Sequence, residues 1–481
     1  MKLTFWGATR QVTGSMFLLE TEDQYRILID CGADMDKKAA LNGNSPEEDE
    51  SPKSAAGFFP FEASSINVVL LTHAHMDHSG NLPNLYREGY EGQILCTDPT
   101  YSLTNLLLQD AASLNHRRLN EMGKSKKQKV RKKMASLQKD LFLEKQVRES
   151  MDNVVPIQYN RKFRLGDSID VTFVPAGHLL GAAHIVINVY ENGEKKSLCF
   201  SGDIGRKNYP LLGDPEPIPQ VDYLICESTY GNRLHINSET PEAMLADVIQ
   251  RTCIDIPGRL IIPSFSVGRT QALLYTLNRL YTEQGFPPIK VFSDSPLALE
   301  STKVYQKNLR LLNKEAKAYQ EENESLFDFV NFEYLESSKA SREVSNYNQP
   351  CIIISSSGMV QGGRVEQHVA ANISNPYCTI LIIGYCAEGT LGWRLLNGQP
   401  TISIKDKEEP VLAKVERTDV FSGHGDRDDL VRFVKHQSPE KLKKVFLVHG
   451  EFTSMSAFQQ TLADEGFTHV EIPTKGQTYE L

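Results

Sequence analysis

At 481 residues the chain is too long for one ordinary core, so two domains of about 200 residues or more are expected. A formal net charge of −9 excludes a protein that coats nucleic acid everywhere, while leaving room for a local basic surface. No apolar run approaches the ~20 residues of a membrane span, and the opening MKLTFWGATRQVTGSMFLLE lacks the basic-then-apolar layout of a signal peptide. The eight cysteines are scattered through apolar runs without a CxxC pair, which predicts buried free thiols in the reducing cytoplasm.

Residues 2–30 predict short strands over KLTFWG, GSMFLLE and RILIDCG, the last ending in Asp30 before a turn glycine. The polar stretch 33–60, with the acidic run Glu47–Glu48–Asp49–Glu50, has the composition of a surface insertion. INVVLLTHAHMDHSGNLPNL follows. Its β-branched opening from Ile66 to Leu71 predicts a buried strand, and Ser79–Gly80 opens an amphipathic helix. Between them His73, His75, Asp77 and His78 place four metal-competent side chains in six positions at the end of a strand. Imidazole with carboxylate suits zinc or a similar divalent ion.

From Tyr101 to about Ser150 the pattern is helical, and 117–148 carries twelve Lys or Arg against three acids. A helical hairpin turning near Gly123 is expected. Its charge reads equally as a solvated face or as a grip on a phosphate backbone. Strands then return over 154–203. The loops PAGH, with His178, and SGD, with Asp203, each place a ligand-type side chain just after an apolar strand, and VDYLICE does the same with Glu227.

Beyond Tyr230 the texture becomes α/β. Helices at 240–255, 268–284, 296–322 and 363–374 alternate with the strands RLIIPSF, IKVFSD, CIIISSSG and TILIIGY, which predicts a mostly parallel sheet. No GxGxxG or GxxxxGK[ST] is present, so neither a dinucleotide nor ATP is expected. Loops after these strands carry Ser264, Arg269, Ser356, Gly362 and Arg364. They read as a cradle for substrate phosphate or simply as tight turns. From about 411 the chain returns to strands, and His424 (FSGHGD) and His449 (VFLVHGE) repeat the strand-end pattern. The tail is therefore expected to complete the first domain, making the middle an insertion.

Together DCG, HAHMDH, AGH, SGD, ESTYG, GHG and VHGE resemble the metallo-β-lactamase superfamily and, within it, the β-CASP branch. That branch includes the bacterial RNase J enzymes and the endonuclease of eukaryotic pre-mRNA 3′-end cleavage. The likeness extends through IPSFSVGRTQALL, SSSGMVQGGR and IGYCAEGTLG. It implies an α/β fold: a metallo-β-lactamase αββα sandwich spanning 1–231 and 416–481, interrupted over 232–415 by an inserted α/β β-CASP domain, with the site in the cleft between them. By the resemblance, His73, His75 and His178 would hold one zinc, and Asp77, His78 and His449 a second, with Asp203 bridging. Manganese is the alternative metal. Asp30 would orient a ligand, and Glu227 and His424 would serve proton transfer to the leaving oxygen.

The implied activity is hydrolysis of RNA phosphodiester bonds by a dinuclear-zinc ribonuclease, acting internally, from a 5′ end, or both. Asp77, Glu227 and His424 would be its catalytic residues. The alternative is a hydrolase of a small ester or thioester, since functions are grafted on folds. RNA is the expected partner, a membrane is not, and a homodimer is left open.

Overall fold

In a computed structural model of the chain, residues 1–34, 58–124, 141–235, 239–404 and 407–481 are described. Most of the 33–60 insertion and the centre of the basic segment lie outside them. The described residues divide into two compact units. The first comprises Met1–Lys207, Asp214–Leu234 and His424–Leu481, and the second Asn208–Gly213 and His235–Gly423.

The first unit holds two seven-stranded sheets. One contains β1 (Lys2–Phe5), β2 (Phe17–Glu20), β3 (Arg26–Ile29), β4 (Val68–Leu70), β5 (Gln93–Thr97), β6 (Val154–Ile157) and, at its edge, β22 (Gln477–Glu480), in the order β22-β1-β2-β3-β4-β5-β6. The other contains β7 (Lys162–Arg164), β8 (Ile169–Pro175), β9 (Ala183–Glu191), β10 (Glu194–Phe200), β11 (Tyr223–Glu227), β20 (Lys444–Val448) and β21 (Val470–Glu471), in the order β21-β20-β11-β10-β9-β8-β7. Each sheet is antiparallel along one half and parallel along the other. Thus β3-β4-β5-β6 run parallel in the first, and β10-β11-β20-β21 in the second.

The near-continuous apolar runs follow from burial on both faces. Ile27, Ile29, Val68, Leu70, Ile185, Ile187, Phe200, Ile225 and Phe446 point into the layer between the sheets. The intervening Leu28, Val69 and Ile94 pack instead on helices Leu82–Arg87, Asp98–Gly123 and Glu144–Met151. Val186, Cys199, Leu224 and Leu447 do the same against helices Arg427–Val434 and Phe452–Asp464. Each such side chain contributes roughly 1.5–3 kcal/mol on leaving water. The result is helix, sheet, sheet, helix. All eight cysteines are buried and unpaired, and no helix among the described residues is long and apolar enough to cross a membrane.

The second unit is built on β12 (Arg259–Pro263), β13 (Lys290–Asp294), β14 (Phe332–Tyr334), β15 (Cys351–Ser355), β16 (Cys378–Ile382) and β19 (Lys414–Arg417), ordered β14-β13-β15-β12-β16-β19 and parallel throughout. A separate hairpin pairs β17 (Thr401–Ile404) with β18 (Lys407–Pro410).

Two expectations are corrected here. The strand beginning after 411, assigned to the returning tail, is β19 and pairs with β16, so the unit ends at Gly423. The long helix expected over 296–322 is two helices, Pro296–Lys307 and Lys314–Glu322, because the Asn313 side chain accepts the Ala316 N–H and starts the second. Asn313 also binds the 208–213 strip into this unit, its N–H donating to Leu211 O at 2.8 Å and its Nδ2 to Leu212 O at 3.3 Å.

Candidate metal centre

The candidate ligands sit one to a few residues past the carboxyl ends of neighbouring strands, as parallel pairing of β3 with β4, and of β10, β11 and β20, requires. Asp30 follows β3 and His73 follows β4. His178 follows β8, Asp203 follows β10, Glu227 ends β11 and His449 follows β20. His75, Asp77 and His78 come from the tight turn after β4, where helix Met76–Ser79 begins. That turn docks closely on the strand-end loop after β3. Cys31 N–H donates to His78 O at 2.8 Å, and a Cβ at Gly32 would run into the Asp77 carbonyl.

Three groups of donors result: His73, His75, His178 with Asp203; Asp77, His78 with His449; and Asp203, Glu227 with His424. In the first, His75 Nδ1 is 3.1 Å from both His73 Nε2 and His178 Nε2. Asp203 Oδ2 is 3.3 Å from His73 Nε2 and 3.5 Å from His178 Nε2. In the second, His449 Nε2 is 3.4 Å from Asp77 Oδ2. Asp203 Oδ1 faces this second group, 3.2 Å from His78 Nε2 and 3.6 Å from His449 Nδ1. Asp203 thus presents one oxygen to each set.

The electrostatics divide the two sets. Burial pushes His75 down to about 3, helped by neighbouring His73. It also lowers His73 and, with His424 adjacent, sends His178 well below the ordinary imidazole value. These rings are neutral lone-pair donors at pH 7. Burial alone would lower His78 too, but the Asp203 and Asp30 carboxylates raise it well above that value. Asp203 and the Asp77 hydrogen bond likewise overcome burial at His449 and raise it. Burial would raise Asp203, yet His449, His78, His73 and His424 hold it well below the usual carboxylate range. Asp77 is lowered similarly, by His449 and His78 against burial.

An imidazole nitrogen offers one proton or one lone pair, so hydrogen bonds cannot satisfy both 3.1 Å contacts of His75 Nδ1. Asp203 Oδ1 is buried without a properly directed hydrogen bond. Neutral nitrogens converging on a carboxylate fit a divalent cation of the zinc type.

Asp30 holds His78 in place. Its Oδ2 is 2.7 Å from His78 Nδ1 and accepts the Thr72 hydroxyl at 2.8 Å, while its Oδ1 accepts the Thr72 N–H at 2.8 Å. His78 Nε2 is thereby aimed at Asp203. Glu227 is fully buried. Its Oε1 accepts the Ile204 N–H at 2.5 Å and faces His424 Nδ1 at 3.3 Å. His424 is the more open partner, its side chain 14% exposed.

Thr229 and Ser15 were not singled out from the sequence. Thr229 Oγ1 lies 3.0 Å from His449 Nδ1, and Ser15 Oγ is 3.3 Å from His78 Nε2.

Of the residues expected either to cradle phosphate or to form tight turns, Arg364, Gly362, Ser264 and Ser356 already have protein partners. Arg364 donates to Asp294 Oδ1 at 2.6 Å and to Leu335 O at 2.7 Å. The Gly362 N–H donates to Glu366 Oε2 at 2.8 Å, which puts an anion where phosphate was expected. Ser264 Oγ accepts from Thr270 at 3.0 Å, and Ser356 Oγ donates to Ser295 Oγ at 3.0 Å. Arg269 has no carboxylate partner among the described residues; its guanidinium lies 4.9 Å from the Phe265 ring centroid.

Comparison with known proteins matches residues 9–237 to the metallo-beta-lactamase superfamily, 270–395 to the Beta-Casp domain, and 408–473 to the Zn-dependent metallo-hydrolase RNA specificity domain. The ribonuclease TTHA0252 of Thermus thermophilus is 31% identical over 467 residues, covering 97% of each chain. The chain belongs to the β-CASP family of the metallo-β-lactamase superfamily. An RNase J-like protein of Methanocaldococcus jannaschii is 30% identical, over 98% of this chain and 97% of that one. The transcription termination factor FttA of the same organism is 31% identical, over 96% of this chain and 69% of its own length. The two sheets of the first unit are thus the metallo-β-lactamase fold and the parallel sheet of the second is the β-CASP insertion, in a family of metallo-hydrolases.

Proposed function

We propose that the chain is a metal-dependent ribonuclease hydrolysing RNA phosphodiester bonds with two zinc ions. The observation that carries this reading is Asp203, whose two oxygens face two separate donor sets. His73, His75 and His178 would hold one ion and Asp77, His78 and His449 the other, with Asp203 shared. When bound, such a pair lowers the pKa of a water and neutralises charge developing on the phosphoryl oxygens. The similarity to a ribonuclease over nearly its whole length supports RNA as the substrate. The buried free thiols fit a cytoplasmic protein.

The chain's own residues supply the remainder. Asp30 keeps the proton on His78 Nδ1 so that Nε2 faces the centre. With His424 Nδ1 turned to Glu227, His424 Nε2 is the atom that gives a proton to the leaving oxygen, and Glu227 steadies the ring as it does so.

The test is cleavage of 5′-labelled and internally labelled RNA by the full chain, with and without chelator, beside Asp203→Asn. Metal-dependent cleavage lost in the variant supports the reading, with mononucleotides from the labelled end marking 5′ exonuclease action and internal fragments endonuclease action. A metal-loaded chain that cuts neither RNA but hydrolyses a small thioester overturns it.

A further inference from the structure

The loop between β1 and β2 is hydrogen-bonded to the loop carrying His449. The His449 N–H donates to Ala8 O at 2.8 Å and the Gly450 N–H to Gln11 O at 3.2 Å. Between those two contacts stands Arg10. Its backbone, like those of Ala8 and His449, takes the left-handed conformation (φ of 58°, 49° and 51°). A side chain with a Cβ adopts that conformation rarely and at a cost, and such residues gather where the surrounding structure imposes a functional geometry. Here the strain projects an exposed arginine from a loop joined to a candidate metal ligand.

Arg10 has no ion-pair or hydrogen-bond partner for its guanidinium among the described residues. What it does meet is Phe452, its Cζ lying 4.9 Å from the ring centroid. Phe452 is itself 50% exposed, an uncommon position for a phenylalanine. It opens helix Phe452–Asp464. Being three residues beyond His449, it lies within about 11 Å of that residue. An aromatic ring backing an exposed guanidinium is an arrangement on which unpaired bases stack, the remaining N–H groups serving phosphate.

We propose that Arg10 and Phe452 form a nucleotide subsite at the rim of the metal centre, where a base of the RNA next to the scissile phosphate stacks on the Arg10 guanidinium against Phe452. The subsite rests on the ribonuclease reading and adds a specific contact to it: single-stranded RNA is gripped by stacking, not by metal ligation alone.

The experiment compares kcat/KM on a single-stranded RNA with kcat/KM on bis(p-nitrophenyl) phosphate, a diester without bases, for the full metal-loaded chain and for Arg10→Ala, Phe452→Ala and Phe452→Trp. The RNA-to-small-diester ratio falls about tenfold or more in the two alanine variants and is restored in Phe452→Trp. An abasic position walked along the RNA finds one site where the wild type loses a similar factor and Phe452→Ala loses little. Binding by Arg10→Ala depends less steeply on salt, by about one unit of slope. Ratios equal to wild type in both alanine variants, or no abasic position to which Phe452→Ala is less sensitive, overturn the subsite alone. A wild-type chain that hydrolyses the small diester and cuts no RNA overturns the ribonuclease reading and the subsite with it.

Discussion

Asp77 and His449 lie 372 residues apart in the chain yet meet with Oδ2 and Nε2 3.4 Å from one another. The contact joins the turn after β4 to the loop after β20, and it is made only because β20 inserts beside β11 after the β-CASP sheet has been completed. If this pair and His78 hold one metal, Asp77→Ala and His449→Ala each lower bound zinc from about two per chain toward one. Elemental analysis of protein dialysed against limiting zinc gives the count. Two fully occupied sites in both variants would remove these residues from the ligand set.

His424 touches the candidate metal ligands without belonging to either of the donor sets proposed to hold an ion. Its ring lies 4.5 Å from that of His178, its Nδ1 faces Glu227, and its backbone bridges Gly205. A group that only delivers a proton can be removed without releasing metal. His424→Ala therefore retains its zinc while turnover on RNA falls on the order of 10²–10⁴-fold. Turnover near wild type, at full metal content, would assign the proton to another donor.

Asp30 is almost wholly buried and holds an αL backbone at φ 58°, a conformation fixed by the hydrogen bonds its carboxylate makes to Thr72 and His78. Losing the orienting partner of a metal-binding imidazole typically costs 10–100-fold in affinity. Asp30→Ala is expected to show that loss at the position His78 serves, read by competition with a chromophoric chelator. An unchanged affinity would make Asp30 a fold residue only.

The convergence of donors is legible in the sequence because each ligand follows an apolar run. A strand buried on both faces announces itself by composition, and a histidine or aspartate just past its end has one place to go, the sheet edge. The hydroxyls beside those ligands, unlike Asp30, are not legible. Thr72, Thr229 and Ser15 are hydroxyls in short loops, and nothing in spacing separates a threonine beside an imidazole from one in solvent. The second unit misleads for a related reason. The periodicity over 296–322 runs unbroken through Asn313, whose side chain turns it into a cap, and the Gly–Gly–Arg signal at 362–364 suits an anion cradle as well as a turn whose Gly362 N–H is met by Glu366. Only the partner tells the two apart.

Asp294, at the end of β13, gathers the second unit as Asp30 gathers the first. Its buried carboxylate accepts from Arg364 at 2.6 Å, from His368 Nε2 at 2.6 Å and from Ser341 at 2.5 Å, tying helices Ser338–Glu343 and Gly363–Asn372 to the sheet. Burial would raise its pKa, but these donors hold it below the usual carboxylate value. A carboxylate whose folded pKa is depressed adds stability above its unfolded pKa of about 3.9, and that stability is lost as pH falls through the folded value. Asp294→Asn removes the charge and leaves Arg364 and His368 facing a neutral group, a change of about 3–5 kcal/mol for a buried pair broken on one side. The part of the stability gap that comes from the carboxylate charge is therefore expected to begin closing below about 3.9. Urea unfolding of both proteins at stepped pH measures it. A gap that stays level down to pH 3 would mean that the carboxylate charge contributes nothing and that the network holds by shape alone.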